Sequence, residues 1–286
     1  MRRSIPWFAV LVSGCIDHAA ARDRSIEATF PAVAQTPSLP ASFRVVTFNL
    51  HGETGDVVAH ALATDPALRD ADLIVLEEVH GQDHCSVACE VGRTLGYHAI
   101  FAPEFVDRGG TDGVAILSRA PIDSAQVLEL PYYNVVFNNE RRTAALAATL
   151  RIAGQPVTVY AVHLTNRLTV KQRRNQMMPI LKHAEQQQTP VIIAGDFNTS
   201  PFTWIGHVVP VLTTTQDDRF EELMRAHGFA TPVAESGATS RFIAMKLDGI
   251  YTRGFETTSF ATADGLDISD HLALWAQMRP ATIQYH

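Results

Sequence analysis

Residues 190–198 read Pro190-Val191-Ile192-Ile193-Ala194-Gly195-Asp196-Phe197-Asn198, apolar from Val191 to Ala194 and then polar at Asp196 and Asn198. A short run that is apolar at every position has no side left for water. Pro190–Ala194 therefore reads as a strand covered on both faces. Asp72–Glu77 (DLIVLE) has the same character and also ends on carboxylates, Glu77 and Glu78. Phe43–Leu50 (FRVVTFNL) is alternating and β-branched, which predicts a strand. Gly113–Arg119, Arg142–Ile152, Pro156–Leu164, Leu247–Thr252 and His271–Met278 predict further strands. Helices are expected over Asp56–Leu68 with a break near Pro66, over Asp83–Leu95, over Thr169–Gln187 with a kink or interruption at Pro179, and over Asp217–His227. The last has acidic residues at its start and Gly228 at its end. Helices alternate with strands at both ends and the middle is strand-rich, so sheets inside and helices outside are expected, in one α/β domain.

The composition is compatible with that domain. The chain has 286 residues, 46% hydrophobic and 19% charged, enough apolar material for a large core. Its net charge of −7 argues against tight non-specific binding of a polyanion, which needs clustered Lys and Arg. It does not exclude an enzyme that meets phosphodiesters transiently through a metal. Three cysteines are too few for a disulfide scaffold or a four-ligand zinc site. No run of 18 apolar residues exists, so no conventional membrane span is expected.

The N-terminus reads as an address. Arg2 and Arg3 precede a short apolar stretch, Ser4–Gly14, of signal-peptide type. Leu11-Val12-Ser13-Gly14-Cys15 resembles the lipobox of bacterial lipoproteins, in which the cysteine is lipidated and becomes the mature N-terminus. An ordinary secretory signal is the alternative. Cleavage before Cys15 would remove Arg2 and Arg3 and take the net charge from −7 to −9. Ile16 after the cysteine points to the outer membrane, facing the periplasm or the cell surface. Acyl chains anchor through ~0.8 kcal/mol per buried methylene. Residues 15–41, with Pro31, Pro37 and Pro40 and no sustained apolar period, read as the lipidated Cys and a flexible tether, with order beginning near Phe43. The organisation expected is thus signal 1–14, tether 15–41, domain 42–280 and tail 281–286.

Polar residues of catalytic type stand where the strands end: Asn49, Glu78, His163, Asp196, Asn198, Asp248, Asp270 and His271. Such groups converge in a crevice at a sheet edge, a usual place for an α/β site. Asp, Glu and Asn suit a hard cation such as Mg²⁺, and two histidines suit proton transfer. Taken singly, each has a plain structural explanation as a turn, a cap or a core histidine. In series, Thr47-Phe48-Asn49, Leu76-Glu77-Glu78-Val79, Val162-His163-Leu164, Gly195-Asp196-Phe197-Asn198, Leu247-Asp248-Gly249 and Ser269-Asp270-His271 resemble the endonuclease/exonuclease/phosphatase superfamily over roughly Phe43–Met278. The resemblance implies a four-layer α/β sandwich of two facing mixed β-sheets flanked by helices, and divalent-metal-dependent hydrolysis of a phosphate ester. There are two departures. Glu77 stands where the family commonly has Gln, and Gly249 stands where an aromatic is frequent.

By that resemblance Glu78 holds Mg²⁺ (Mn²⁺ or Ca²⁺ as alternatives), with Asn49 assisting or orienting, and Asp270 binding metal or orienting a neighbour. His163 donates to a phosphate oxygen, and Asn198 positions phosphate or water. His271, oriented by Asp248, and Asp196 are the two candidates for general base. Strand alternation suggests that only Glu78, not Glu77, faces the site. Arg142, beside Arg141, is a candidate phosphate clamp. Arg167, Arg173 and Arg174 read as an exposed basic helix face. Phe202 and Trp204 read as core, with a pocket lip as the alternative. Cys85 and Cys89, four apart, leave a disulfide open.

The function expected is a membrane-tethered phosphodiesterase or nuclease. A phospholipid (sphingomyelinase-like) or small phosphomonoester hydrolase is the alternative, and an inactive binding lipoprotein stands further off. Lipid hydrolysis is expected to show an exposed apolar hairpin, and no exposed aromatic run is visible in the sequence. The partners expected are a phosphate ester (nucleic acid, phospholipid head group or small molecule) and a lipid anchor in a membrane, with no obligate protein partner evident.

Overall fold

The computed structural model describes residues 19–21, 23–31, 36–82, 84–135, 141–199, 202–213, 215–231, 233, 235–242 and 245–281. The signal segment, Cys15 and residues 282–286 of the tail lie outside them. Two mixed sheets face one another. The first runs β1 (Glu27–Thr29), β5 (His98–Asp107), β6 (Gly110–Ser118), β3 (Leu73–Gln82), β2 (Phe43–Asn49), β15 (Ala273–Pro280) and β14 (Phe255–Ala263), with β4 (Cys85–Ser86) on the end of β3. The second runs β13 (Asp248–Arg253), β10 (Val191–Asp196), β9 (Gln155–His163), β8 (Ala144–Ile152) and β7 (Ile122–Glu129). Among the named strands of the described residues, only the β2–β3 and β9–β10 pairs are parallel.

Strand periodicity sorts the side chains into three apolar layers. Val45, Leu73, Val75, Val159, Ala161, Ile192 and Ala194 point between the sheets. Their alternates on β2 and β3, Val46, Phe48, Ile74 and Leu76, pack under α1 (Gly55–Thr64) and α2 (Val87–Leu95). Tyr160, Val162, Val191 and Ile193 pack under α3 (Val170–Gln186) and α4 (Gln216–Ala226). The four-layer sandwich follows from strands that are apolar on both faces.

Several local readings need correction. Order begins before Phe43. Glu27–Thr29 pairs with Phe101–Ala99 of β5, and Leu39 is buried in the inter-sheet layer. Their alanine- and proline-rich surroundings hide a three-residue strand that has no period of its own. β5, β7 and β14 are strands that the sequence pattern did not announce. Pro103 and the buried Glu104 interrupt β5, while β7 and β14 lie at sheet edges with mostly polar or exposed side chains. Cys85 and Cys89 are disulfide-bonded with Cα atoms 5.3 Å apart. The bridge distorts no helix, because Cys85 precedes the Ser86 N-cap that accepts from the Cys89 N–H. Pro179 sits within α3, which continues through it from a Thr169–Gln172 capping box. Arg173 is not on an exposed face. It is buried and donates to Gln216 at the start of α4.

Phe202 and Trp204 are not core. They belong to a separate hairpin, β11 (Phe202–Ile205) with β12 (Val209–Leu212), that pairs with neither main sheet. Ile205 and Leu212 are 61% and 69% exposed. The expectation concerned an exposed aromatic run; the exposed side chains here are aliphatic, and they become exposed because the chain folds back on itself outside the sandwich.

Candidate active site

The site is the polar continuation of the inter-sheet core. Counting by twos along the inward-facing positions, Val45 leads to Thr47 and Asn49, Leu73 and Val75 lead to Glu77, Val159 and Ala161 lead to His163, and Ile192 and Ala194 lead to Asp196. Register aligns them across the second sheet. His163 of β9 lies beside Asp196 of β10, and Asp196 lies beside Asp248 of β13. In the first sheet Asn49 lies beside Glu77. Gly195 allows the close approach, since a Cβ there would lie 1.9 Å from the Val162 carbonyl oxygen. The two sheets are stitched at this edge by the Asn49 amide, which donates to Asp196 Oδ2 at 3.1 Å, and Asn49 is itself held by the Ser269 hydroxyl, which donates to its carbonyl at 2.7 Å.

Alternation should turn Glu78 away, as it places Glu77 inward. A bulge between Leu76 and Val79, with Glu78 at φ +51°, brings Glu78 in as well. Glu78 Oε1 then accepts from the Asn49 amide at 3.3 Å and lies 3.8 Å from His163 Nε2. The expectation that only Glu78 faces the site is therefore corrected. Glu77 is wholly buried, accepts from the Thr47 hydroxyl at 2.9 Å, and is pushed well above the ordinary carboxylate range by burial and by the charges of Asp248 and Asp196.

Asp196 stands between two histidines, 3.7 Å from His163 Nε2 and 3.8 Å from His271 Nε2. Burial pushes its pKa up to about 7, with Asp248 adding to the rise against the pull of His271. The two histidines are held in opposite states. Burial and the Arg141 charge lower His163 to about 3, so it is neutral at pH 7. The Arg141 guanidinium lies 3.4 Å from His163 Nδ1 and is a donor only, which leaves the ring hydrogen on Nε2, the nitrogen facing Asp196 and Glu78. For His271, burial acts to lower the pKa. The charge and hydrogen bond of Asp248, at 2.8 Å from Nδ1, with the charges of Asp196 and Asp270, outweigh it and raise the pKa to about 11. Asp248 is itself fixed, its N–H donating to the Thr239 hydroxyl at 3.0 Å.

Asn198 has a left-handed backbone (φ +51°), which asparagine tolerates, and its side-chain amide donates to the Leu164 carbonyl. It thereby ties the loop after β10 to the end of β9. Arg142 is not brought to this cluster. It is exposed, stacks over Tyr132, and its carbonyl accepts from Arg24. Its neighbour Arg141 occupies the place expected for it, since an extended pair presents only one of two adjacent residues to a given side. Arg141 also stacks over Phe105, beside the buried acids Glu104 and Asp112. His51 was missed altogether. Its Nδ1 lies 3.6 Å from Glu78 Oε2 and 3.4 Å from Asp270 Oδ1, and the hydrogen bond to Glu78 raises its pKa. Its only sequence signal is adjacency to Asn49.

Among the described residues two places fit a cation. Ligand atoms of Asp196, Asp248 and His271 lie within 4.8 Å of one another. There, His271 Nδ1 is already engaged by Asp248 at 2.8 Å. The other place is where Glu78 and Asp270 converge on His51. It is oxygen-rich, Asp270 Oδ1 is buried without a hydrogen-bond partner, and the His51 imidazole lies against both carboxylates. Asn49, whose amide donates to Glu78 and whose oxygen accepts from the His51 N–H at 3.0 Å, is placed to orient this group.

Comparisons with known proteins follow this geometry. The sequence profile of the Endonuclease/Exonuclease/phosphatase family matches residues 46–271. No curated protein sequence matches the chain. Among solved structures, an endonuclease/exonuclease/phosphatase from Beutenbergia cavernae superposes with a TM-score of 0.69 at 20% identity, covering 84% of this chain and 72% of that one. A family protein from Leptotrichia buccalis gives 0.65 at 15% identity, over 83% and 99%. TDP2 of D. rerio, complexed with a single-strand DNA product, gives 0.60 at 16% identity, over 84% and 99%. At these identities the superpositions establish the fold, and the sequence profile establishes the kinship. The chain belongs to the endonuclease/exonuclease/phosphatase family.

Proposed function

We propose that the protein is a divalent-metal-dependent phosphodiesterase, held to a bacterial cell envelope by an acylated Cys15. The observation that carries the chemistry is the buried Asp196 carboxyl set between His163 and His271, 3.7 Å and 3.8 Å from their Nε2 atoms. Glu78 and Asp270 would hold Mg²⁺, which would supply charge neutralisation at a phosphoryl oxygen. Asp196, with a pKa near neutrality, takes a proton from the attacking water. The water oxygen bonds to phosphorus, the ester P–O bond breaks, the departing alkoxide takes a proton from solvent, and Asp196 releases the proton it received back to solvent. The His163 Nε2–H donates to a non-bridging oxygen, and cationic His271, braced by Asp248, offsets charge that builds on the phosphoryl group. Asn198 keeps the β9 and β10 ends in register around it. Arg141 holds the His163 tautomer and adds positive charge in the role expected of Arg142.

A nucleic-acid substrate is supported by the structural likeness to a protein seen with a DNA product. A phospholipid head group is supported by the exposed apolar hairpin. The test is hydrolysis of plasmid DNA, bis-p-nitrophenyl phosphate, p-nitrophenyl phosphate and phosphocholine vesicles, each with Mg²⁺ and with chelator. Chelator-sensitive cleavage of a diester before the monoester is expected. Silence on all four, or turnover indifferent to chelator, overturns the reading. Envelope attachment is tested by Cys15→Ser, which should move the protein out of the membrane fraction, and retention there removes the anchor.

A further inference from the structure

The β11–β12 hairpin inverts the usual arrangement of side chains. Between Phe202 and Thr215 no residue carries a fixed charge, and His207 is the one titratable group. In the register Ile205↔Val209 and Thr203↔Val211, paired residues share one face, while Trp204↔Pro210 and Phe202↔Leu212 share the other. Apolar side chains therefore stand on both faces, with Ile205 61%, Val209 54% and Leu212 69% exposed. An isolated two-stranded hairpin is marginal in water, and a contiguous exposed apolar patch marks an interaction surface.

The two-sidedness selects the occupant. A protein partner, or a second copy of this chain, would cover one face and leave the other wet. A fluid apolar medium surrounds both. The turn end of the hairpin has complementary charge beside it. The Arg167 guanidinium lies over the Trp204 ring at 5.5 Å, and the Arg167 carbonyl lies 3.0 Å from His207 Nδ1 in the hairpin turn. Gln172, on the first turn of α3, lies 3.5 Å from His207 Nε2 and next to exposed Lys171. Exposed aliphatic side chains, a tryptophan and a flanking cationic patch suit the acyl, interfacial and phosphate zones of a bilayer with anionic lipid. Phe242, 78% exposed, is a second apolar projection, from the segment whose Ser240 bridges to His271 at the active site.

We propose that this hairpin is a membrane-docking element that dips into the interface of an anionic lipid surface. The hairpin follows directly on the Asp196–Thr199 loop, so docking would hold the active-site edge close to that surface. The proposal stands whichever ester the site cleaves, because its readout is binding.

The test uses the full chain with Cys15→Ser, so that no acyl anchor contributes, and vesicles of phosphatidylglycerol and phosphatidylcholine in a flotation assay. The Ile205→Ser/Leu212→Ser double variant should bind at least tenfold more weakly. Its hydrolysis of soluble bis-p-nitrophenyl phosphate should match that of the parent, which also reports an intact fold. Brominated acyl chains should quench the fluorescence of Trp204, measured as the part lost on Trp204→Phe. Equal flotation of parent and variant overturns the proposal, as does absence of flotation in both. Self-association in lipid-free solution that the double variant abolishes would make the occupant a second copy, and so would also overturn it.

Discussion

The active-site edge and the β11–β12 hairpin break the same rule in opposite directions. At the first, Glu77, His163, Asp196, Asp248 and His271 are charged or titratable and buried. At the second, Ile205, Val209 and Leu212 are apolar and exposed. Among the other described residues apolar side chains lie between and beneath the sheets, with buried Arg173, Glu104 and Asp112 and exposed Phe242 among the exceptions. Burying five ionisable groups costs stability unless each has a partner, and exposing a hairpin of hydrophobics brings no burial. Both departures lie where β10 leaves the sandwich, the edge at which the fold meets other molecules. They differ in what the local structure must do. The buried cluster needs fixed geometry, and the register of four central strands supplies it. The hairpin needs no such register, and its turn is held by His207 against Arg167 and Gln172.

The contrast can be broken by substitution, beginning with the largest expected effect. Asp196→Asn should lower kcat by ~10³-fold, about 4 kcal/mol of barrier, with melting temperature little changed. A loss under tenfold would move the base elsewhere. Ile192→Ala, in the inter-sheet layer, should destabilise by ~2–5 kcal/mol, whereas Ile205→Ser on the hairpin should stay within about 0.5 kcal/mol. Comparable losses by denaturant titration would mean that the hairpin is packed after all. Glu78→Gln should raise the half-saturating Mg²⁺ concentration about 10–100-fold, and an unchanged titration would displace the metal from Glu78 and Asp270.

The smallest effect concerns Glu77. Its pKa in the fold is raised, so its contribution to stability is complete below the unfolded value near 4.5 and is lost as pH rises toward the folded value. Glu77→Gln keeps the shape and removes the charge, so its melting temperature should gain on wild type progressively above pH 4.5. Parallel pH curves for the two proteins would mean that the acid is not strained.

Much of the site could be read in the sequence because a strand's period of two carries the catalytic residues on from the core positions that precede them. His163, Asp196 and Asp248 needed no more than that. His51 was invisible because it lies in a turn whose direction no periodicity records. Arg141 and Arg142 were indistinguishable because adjacent residues differ only in which side they face. Glu77 and Glu78 misled because a bulge at φ +51° suspends the alternation on which the reading relied. The edge strands β7 and β14 were silent because a strand with one wet face and polar side chains differs little from a loop. The hairpin escaped notice because its apolar residues resemble core until the fold shows that no sheet receives them.

The central claim is that the buried cluster is the chemical centre and the exposed hairpin is not. It is tested most directly by bis-p-nitrophenyl phosphate hydrolysis with Mg²⁺ or chelator, by wild type, His271→Ala and Ile205→Ser/Leu212→Ser. The account predicts chelator-sensitive turnover that His271→Ala loses by ~10³-fold while the hairpin variant retains it. Undiminished turnover by a folded His271→Ala, or turnover unaffected by chelator, would contradict it.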